Sequence, residues 1–165
     1  GSGRQVYPGF LQLAGFMSMN LGNHLVSHWE MFRHLVEGDG ESAEATKDFY
    51  DEYRAVCDMT AEFYLQTVDV VFQRHLLPKG ELAHRGRRVD PAAIRDVALL
   101  AIEGERDDIS GVGQTKAALD ISTALPARLK RYHLARGVGH YGIFHGSKWR
   151  TRIAPLVEQW IARHA

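Results

Sequence analysis

The chain has 165 residues, 45% hydrophobic and 24% charged, enough to bury one ordinary domain core and unlike a disordered or fibrous protein. Twenty basic residues balance twenty acidic ones, so no net field draws the chain to nucleic acid or to an anionic membrane surface. The nine histidines are scattered, and the single cysteine, Cys57, excludes an internal disulfide; with no zinc-like Cys/His spacing, these features favour a reducing cytosol without a structural metal.

The front, Gly1-Ser2-Gly3-Arg4, has neither an initiator methionine nor the layout of a signal peptide, and predicts a piece of a longer protein or a linker scar. No apolar run approaches the ~20 residues needed to span a bilayer. From Pro8 to Met19 an apolar stretch begins at a proline suited to a helix start and ends at Asn20. Between Asn23 and Val36 the residues Leu25, Val26, Trp29, Phe32, Leu35 and Val36 recur at helical spacing, with His24, Ser27, Glu30 and Arg33 largely opposite, which predicts an amphipathic helix. Residues 37–44, EGDGESAE, interrupt it, and Ser42 is the expected cap of the next helix. A helical region, one helix or two, then runs to about His75. Its apolar side is aromatic: Phe49, Tyr50, Tyr53, Phe63, Tyr64 and Phe72.

Residues 78–90 are polar and turn-prone and divide the chain into a helical region, 1–90, and a second region, 91–165, of different texture. There Val97–Ile102 is a short continuous apolar run, the pattern of a strand buried on both faces of a parallel sheet. Gln114–Leu125 has helical composition and Leu129–Leu134 reads as a second strand. A helix from about Arg150 to Arg163 is expected to bury Ile153, Leu156, Val157, Trp160 and Ile161. The order strand, helix, strand, helix makes this a piece of an α/β sheet behind a helical insertion.

In open parallel sheets, reactive groups gather beyond the carboxyl ends of the strands. After the first strand comes Gly104-Glu105-Arg106-Asp107-Asp108-Ile109, which presents an aspartate on a glycine-led loop. After the second comes Gly137-Val138-Gly139-His140-Tyr141-Gly142, which presents a glycine-flanked histidine. Acyl transfer needs a histidine to move the nucleophile's proton and a carboxylate to hold that histidine in the useful tautomer. The acid precedes the histidine by 33 residues, room for one helix and one strand, in the order that α/β-hydrolases use. Asp107 and His140 are therefore the expected catalytic acid and base, with Asp108 the alternative acid. A DD loop alone is more often a solvated turn. The formal GxGxxG at 137–142 is a weak dinucleotide match, with no further strand and acid behind it.

VYPGFLQLAGFMSMN, EGERDDISGVGQT and GVGHYGIFHGSKWR resemble the C-terminal region of the intracellular polyhydroxyalkanoate (polyhydroxybutyrate) depolymerases, over nearly the whole chain. The resemblance implies an α/β-hydrolase fold with a helical lid before the acid strand, and hydrolysis of a stored polyester at cytoplasmic granules. It implies a Cys or Ser nucleophile on an elbow upstream of the lid, and with that esterase chemistry no metal or organic cofactor is expected. No GxSxG or GxCxG occurs in residues 1–165, so the partners expected are the polymer and the remaining part of the hydrolase domain, with a homo-oligomer also open. Two rivals stand beside this reading: a polyhydroxyalkanoate synthase, which shares acid, histidine and fold, and a non-catalytic granule-binding module using amphipathic helices.

Other groups have plainer expected roles. Cys57 lacks the glycines of a strained elbow and is expected to be a small buried or half-buried helical residue. His24 and His28 share a face at i and i+4 without an acidic third ligand and read as surface histidines. Ser110 and Ser147 are expected to cap or turn the chain, and the aromatics of the helical region to make core contacts for the most part.

Overall fold

The structure is a computed structural model that describes Gly3 and residues 5–165. The front segment, read above as the mark of a longer parent or a linker, lies largely outside the described residues. The chain forms two compact units, Gly1–His75 and Leu76–Ala165.

In the first unit, β1 (Val6–Tyr7) leads into α1 (Gly9–Met19), which starts after Pro8 and stops at Asn20 as the sequence predicts. Next come α2 (Leu21–Glu37), closed by left-handed Gly38, and α3 (Gly40–Arg54). Asp39, not Ser42, caps α3: its carboxylate accepts the Ser42 amide. One stretch held two cap-type residues, and the earlier one starts the helix.

The long helical region is broken. After Arg54 the chain extends through residues 55–58 into β2 (Met59–Thr60), antiparallel to β1, before α4 (Ala61–Thr67) and a π turn (Val68–Gln73). The break is tertiary. The Asp58 carboxylate accepts the Gly9 amide at 2.7 Å, where an acid also complements the start of α1. A Cβ on Gly9 would meet the Val56 carbonyl oxygen at 2.5 Å, so only glycine lets the two backbones approach. Cys57, in this extended segment, is exposed and not helical, against the expectation of a buried helical residue.

Helix α2 is amphipathic, but the face packed on α3 is the polar one. Tyr50 is buried on α3, donates toward or accepts from His24 Nδ1 at 3.0 Å, and lies 4.1 Å from the His28 ring centre. The His28 Nδ1–H donates to the His24 carbonyl at 2.8 Å, so both histidines are half-buried within the helix pair. The apolar stripe points outward: Leu25 is 63% exposed, Trp29 64%, Phe32 55% and Val36 71%. Of the aromatics expected in the core, Tyr50 is buried, whereas Phe63 and Phe72 are exposed.

The second unit opens with α5 (Leu76–Lys79) and a small hairpin, β3 (Ala83–His84) with β4 (Arg87–Arg88). Its two-residue turn, Arg85-Gly86, has both φ angles positive, the conformation that matches strand twist. Then come β5 (Leu99–Gly104), α6 (Ala117–Ile121), β6 (Lys130–Ala135), α7 (Gly146–Lys148), a π turn (Trp149–Ile153) and α8 (Ala154–His164). Strands β5 and β6 are parallel, with Leu99 opposite Lys130 and Gly104 opposite Ala135. This is α/β architecture.

β5 lies two residues beyond the predicted run because Val97 is exposed and pairing extends to Gly104; Ala101, Glu103 and Gly104 are buried and the other three residues half-buried. The helix expected over 114–125 shrinks to α6, since Pro126 follows closely and the preceding loop is held elsewhere, as described below. The core is Ala135, Val138, Ile143 and Ile153, with Ile102, Trp149 and Val157 packed against it. Trp160 is also buried, Leu156 and Val157 are half-buried, and Ile161, expected inside, is 60% exposed at the far side of α8. Among the described residues no helix is long and apolar enough to cross a membrane.

Candidate active site

Two loops leave the carboxyl ends of β5 and β6 and are fastened to each other. Pairing continues past the strands: the Glu105 amide donates to the Ala135 carbonyl at 3.1 Å and the Arg106 amide to the Val138 carbonyl at 2.9 Å. The Gly137 amide donates to the Glu105 carboxylate at 2.7 Å, and Lys148 Nζ donates to the Gly137 carbonyl at 2.9 Å. A Cβ on Gly104 would meet the Val138 carbonyl oxygen at 2.6 Å, so this glycine permits the contact between loops. Buried Val138 and Ile143 bracket His140 and root its loop in the core.

These loops bring Asp107 and His140 together. His140 Nδ1–H donates to Asp107 Oδ2 at 2.9 Å; the Asp107 side chain is 1% exposed and that of His140 32%. Asp107 Oδ1 accepts the Ile109 amide at 2.9 Å and the Ser110 amide at 2.7 Å, so the aspartate also makes the turn that its DD sequence suggests. Burial pushes the Asp107 carboxyl up, but the Ser110 amide, the His140 ring and the Ile109 amide outweigh it and hold the carboxyl below its usual range. An ionised carboxylate only accepts hydrogen bonds, so Nδ1 carries a proton, and in the uncharged form of the ring the lone pair is left on Nε2. Such an arrangement fixes the tautomer and can act chemically as a base. Asp108 is exposed, and the bond to His140 Nδ1 at 2.9 Å is made by Asp107. Tyr141 and Phe144 lie edge-on to the imidazole, with centroids 5.6 and 6.2 Å away.

Sequence reasoning missed Glu103. It is 2% exposed at the end of β5, where its carboxylate accepts the Gly113 amide at 2.8 Å, the Lys116 amide at 2.8 Å and the Tyr132 hydroxyl at 2.6 Å. Burial alone would raise its pKa; the Tyr132 hydroxyl and the Gly113, Lys116 and Thr115 amides reverse that and lower it. The same bond, with burial, pushes the Tyr132 pKa up to about 12. Glu103 thus fixes the far end of the loop whose near end carries Asp107. The available signal was an acid at the end of an apolar strand, followed by an aromatic hydroxyl in the neighbouring one.

Ser110 and Ser147 serve turns and helix backbone: Ser110 through its amide, Ser147 through its carbonyl, which accepts Thr151 Oγ1 at 2.8 Å. Among the described residues no group of three or more His, Cys, Asp or Glu side chains is placed to hold a metal ion.

Fold and site together define an α/β protein with a buried carboxylate bonded to an accessible imidazole beyond the ends of two parallel strands. A family model described as "PHB de-polymerase C-terminus" matches residues 1–165, and the chain belongs to that family, one of polymer-degrading hydrolases. No curated protein and no solved structure matches it.

Proposed function

We propose that the chain is the C-terminal part of an intracellular poly(3-hydroxybutyrate) depolymerase of α/β-hydrolase fold, in which Asp107 and His140 are the acid and base of a Cys/Ser-His-Asp triad. The observation that carries this is the 2.9 Å bond from a 32% exposed imidazole to a 1% exposed carboxylate. His140 Nε2 takes the proton of a serine or cysteine that lies outside residues 1–165, and that nucleophile attacks the ester carbonyl. The resulting imidazolium, stabilised by Asp107, returns the proton to the departing alcohol and leaves an acyl-enzyme. His140 then draws a proton from water for deacylation, which releases 3-hydroxybutyrate or short oligomers.

On this reading residues 1–90 act as the lid and residues 91–165 complete the core, in a cytoplasmic protein that works at granule surfaces. The exposed stripe of Leu25, Trp29, Phe32 and Val36 supports a contact with an apolar polyester, since a water-facing row of large side chains is unusual without a partner.

The test is release of 3-hydroxybutyrate from amorphous polymer granules by the parent protein, with Asp107→Asn and His140→Ala beside it. Asp107→Asn should lose about 10⁴-fold in kcat and His140→Ala about 10⁴–10⁶-fold, the scale of triad disruption. Activity that survives both changes would refute the assignment of these residues. Incorporation of hydroxybutyryl-coenzyme A into polymer, without release, would replace the depolymerase with a synthase.

A further inference from the structure

Beyond the strand ends the two loops run on as a short ladder. Three consecutive residues of the acid loop each bond the histidine loop: the Glu105 carboxylate accepts the Gly137 amide at 2.7 Å, the Arg106 amide donates to the Val138 carbonyl at 2.9 Å, and Asp107 accepts from His140 Nδ1 at 2.9 Å. The first rung lies at a turn. Gly137 has φ +66°, in the left-handed region, where the chain leaves β6 for the histidine loop. Glycine moves between backbone conformations more freely than any other residue, so its own chemistry does not hold that turn. A side chain on either side holds it instead. Glu105 grips the N–H of the peptide before the Gly137 Cα, and Lys148 Nζ donates at 2.9 Å to the carbonyl of the peptide after it. Because each peptide unit is planar, holding both flanking planes holds the two torsions between them. A Cβ on Gly137 would lie 2.9 Å from Lys148 Nζ, so the missing side chain that permits the turn also admits the lysine.

Glu105 and Lys148 are both exposed, and exposed charges commonly add little to stability. Their placement gives them a different task. Glu105 stands two residues before Asp107, and Gly137 three before His140. Asp107 is itself fixed by the Ile109 and Ser110 amides, so a torsional change at Gly137 moves the imidazole against a stationary carboxylate. We propose that Glu105 and Lys148 are positioning residues, which clamp Gly137 from its two sides and thereby keep His140 in register with Asp107. Their effect on turnover rests on the depolymerase reading, whereas their effect on the Asp107–His140 bond does not.

The experiment compares the parent protein with Glu105→Ala, Glu105→Gln, Lys148→Met and Lys148→Arg. The imidazole is read from the ¹⁵N shifts of histidine-labelled protein, with His140→Ala assigning the signal; when the ring is neutral, a single tautomer keeps its two nitrogens far apart in shift. Glu105→Ala and Lys148→Met should draw the two shifts together, lower kcat on polymer granules by about 10²-fold, the scale of a misplacement of roughly 1 Å, and change KM by less than about threefold. Melting should stay within about 4 °C of the parent. Glu105→Gln keeps an oxygen acceptor and Lys148→Arg keeps a donor, so each should recover the parental spectrum and most of the lost rate. A parental spectrum in both Glu105→Ala and Lys148→Met would overturn the proposal. Equal losses in Glu105→Ala and Glu105→Gln would overturn it too, by assigning the effect to charge rather than to the hydrogen bond. So would a fall in kcat that tracks lower melting while the ring nitrogens stay parental, which is a stability effect alone. If the parent releases no 3-hydroxybutyrate, the depolymerase reading fails, and converging ring shifts in the alanine and methionine variants still uphold the clamp.

Discussion

Replacing Glu103 by alanine should cost the protein far more than its position at a strand end suggests. The change strips the acceptor from the Gly113 and Lys116 amides and the Tyr132 hydroxyl, at distances of 2.8, 2.8 and 2.6 Å. A hydrogen bond to a charged group is worth roughly 1.5–3 kcal/mol, and leaving a buried donor unsatisfied costs roughly 1–3 kcal/mol. The two amides belong to a loop that can shift toward water, which favours the lower end, so the loss expected is about 3–5 kcal/mol. That is a large share of a typical stability of ~5–15 kcal/mol. Glu103→Gln keeps one acceptor but turns an NH₂ toward donors, and should lose about half as much. Urea denaturation of the parent protein at pH 7 measures both as a fall in midpoint at unchanged slope. Because the folded state lowers the Glu103 pKa from 4.5, its contribution is complete above that value and disappears as pH falls through the folded pKa. The gap between wild type and Glu103→Ala should therefore narrow in acid. A loss below about 1 kcal/mol at pH 7, or a gap that widens in acid, would refute this account of the loop.

Three further outcomes follow from the same geometry. Tyr132, pushed up to about 12, should resist ionisation in an ultraviolet titration until well above pH 10; its contribution to stability is present below pH 10 and lost as pH rises through the folded value, whereas Tyr132→Phe should abolish that alkaline limb. Gly104→Ala drives a Cβ into the Val138 carbonyl oxygen at 2.6 Å, and should cost about 1–3 kcal/mol in melting experiments while displacing His140 enough to lower kcat by about 10²-fold. A wild-type rate in that variant would show that the loop contact does not position the histidine. The double change Trp29→Ser with Phe32→Ser should leave stability within about 1 kcal/mol, since both side chains are mostly exposed, yet reduce sedimentation with polymer granules; unchanged adsorption would remove α2 from the polymer surface.

The juxtaposition of Asp107 and His140 was legible because each stands on a glycine-containing loop after an apolar strand, and those local cues survive without knowledge of the fold. The limits of α1 were equally plain, set by Pro8 and Asn20. The interruption at residues 55–60 was not, because what opens the helix there is the backbone of Gly9 and the Asp58 carboxylate, 49 residues apart in sequence. Periodicity found the apolar stripe of α2 but carries no sign of which face meets the neighbouring helix. That is decided by His24 and His28 engaging Tyr50. Glu103 escaped notice for a related reason: an acid after a hydrophobic run reads as the point where a strand reaches water. Only the approach of three donors makes a buried charge affordable there.

The hydrogen bonds that join the Asp107 and His140 loops run between neighbours in a single parallel strand pair, spanning 33 residues of chain. A buried carboxylate and the imidazole that it orients are thus assembled within one short stretch of chain. On the proposed depolymerase reading, such a prefabricated pair serves a hydroxyl or a thiol alike, because its geometry is set before the nucleophile arrives. On the same reading the two halves of the reaction can diverge separately: substitutions that retune the attacking group leave the imidazole and its orienting carboxylate intact.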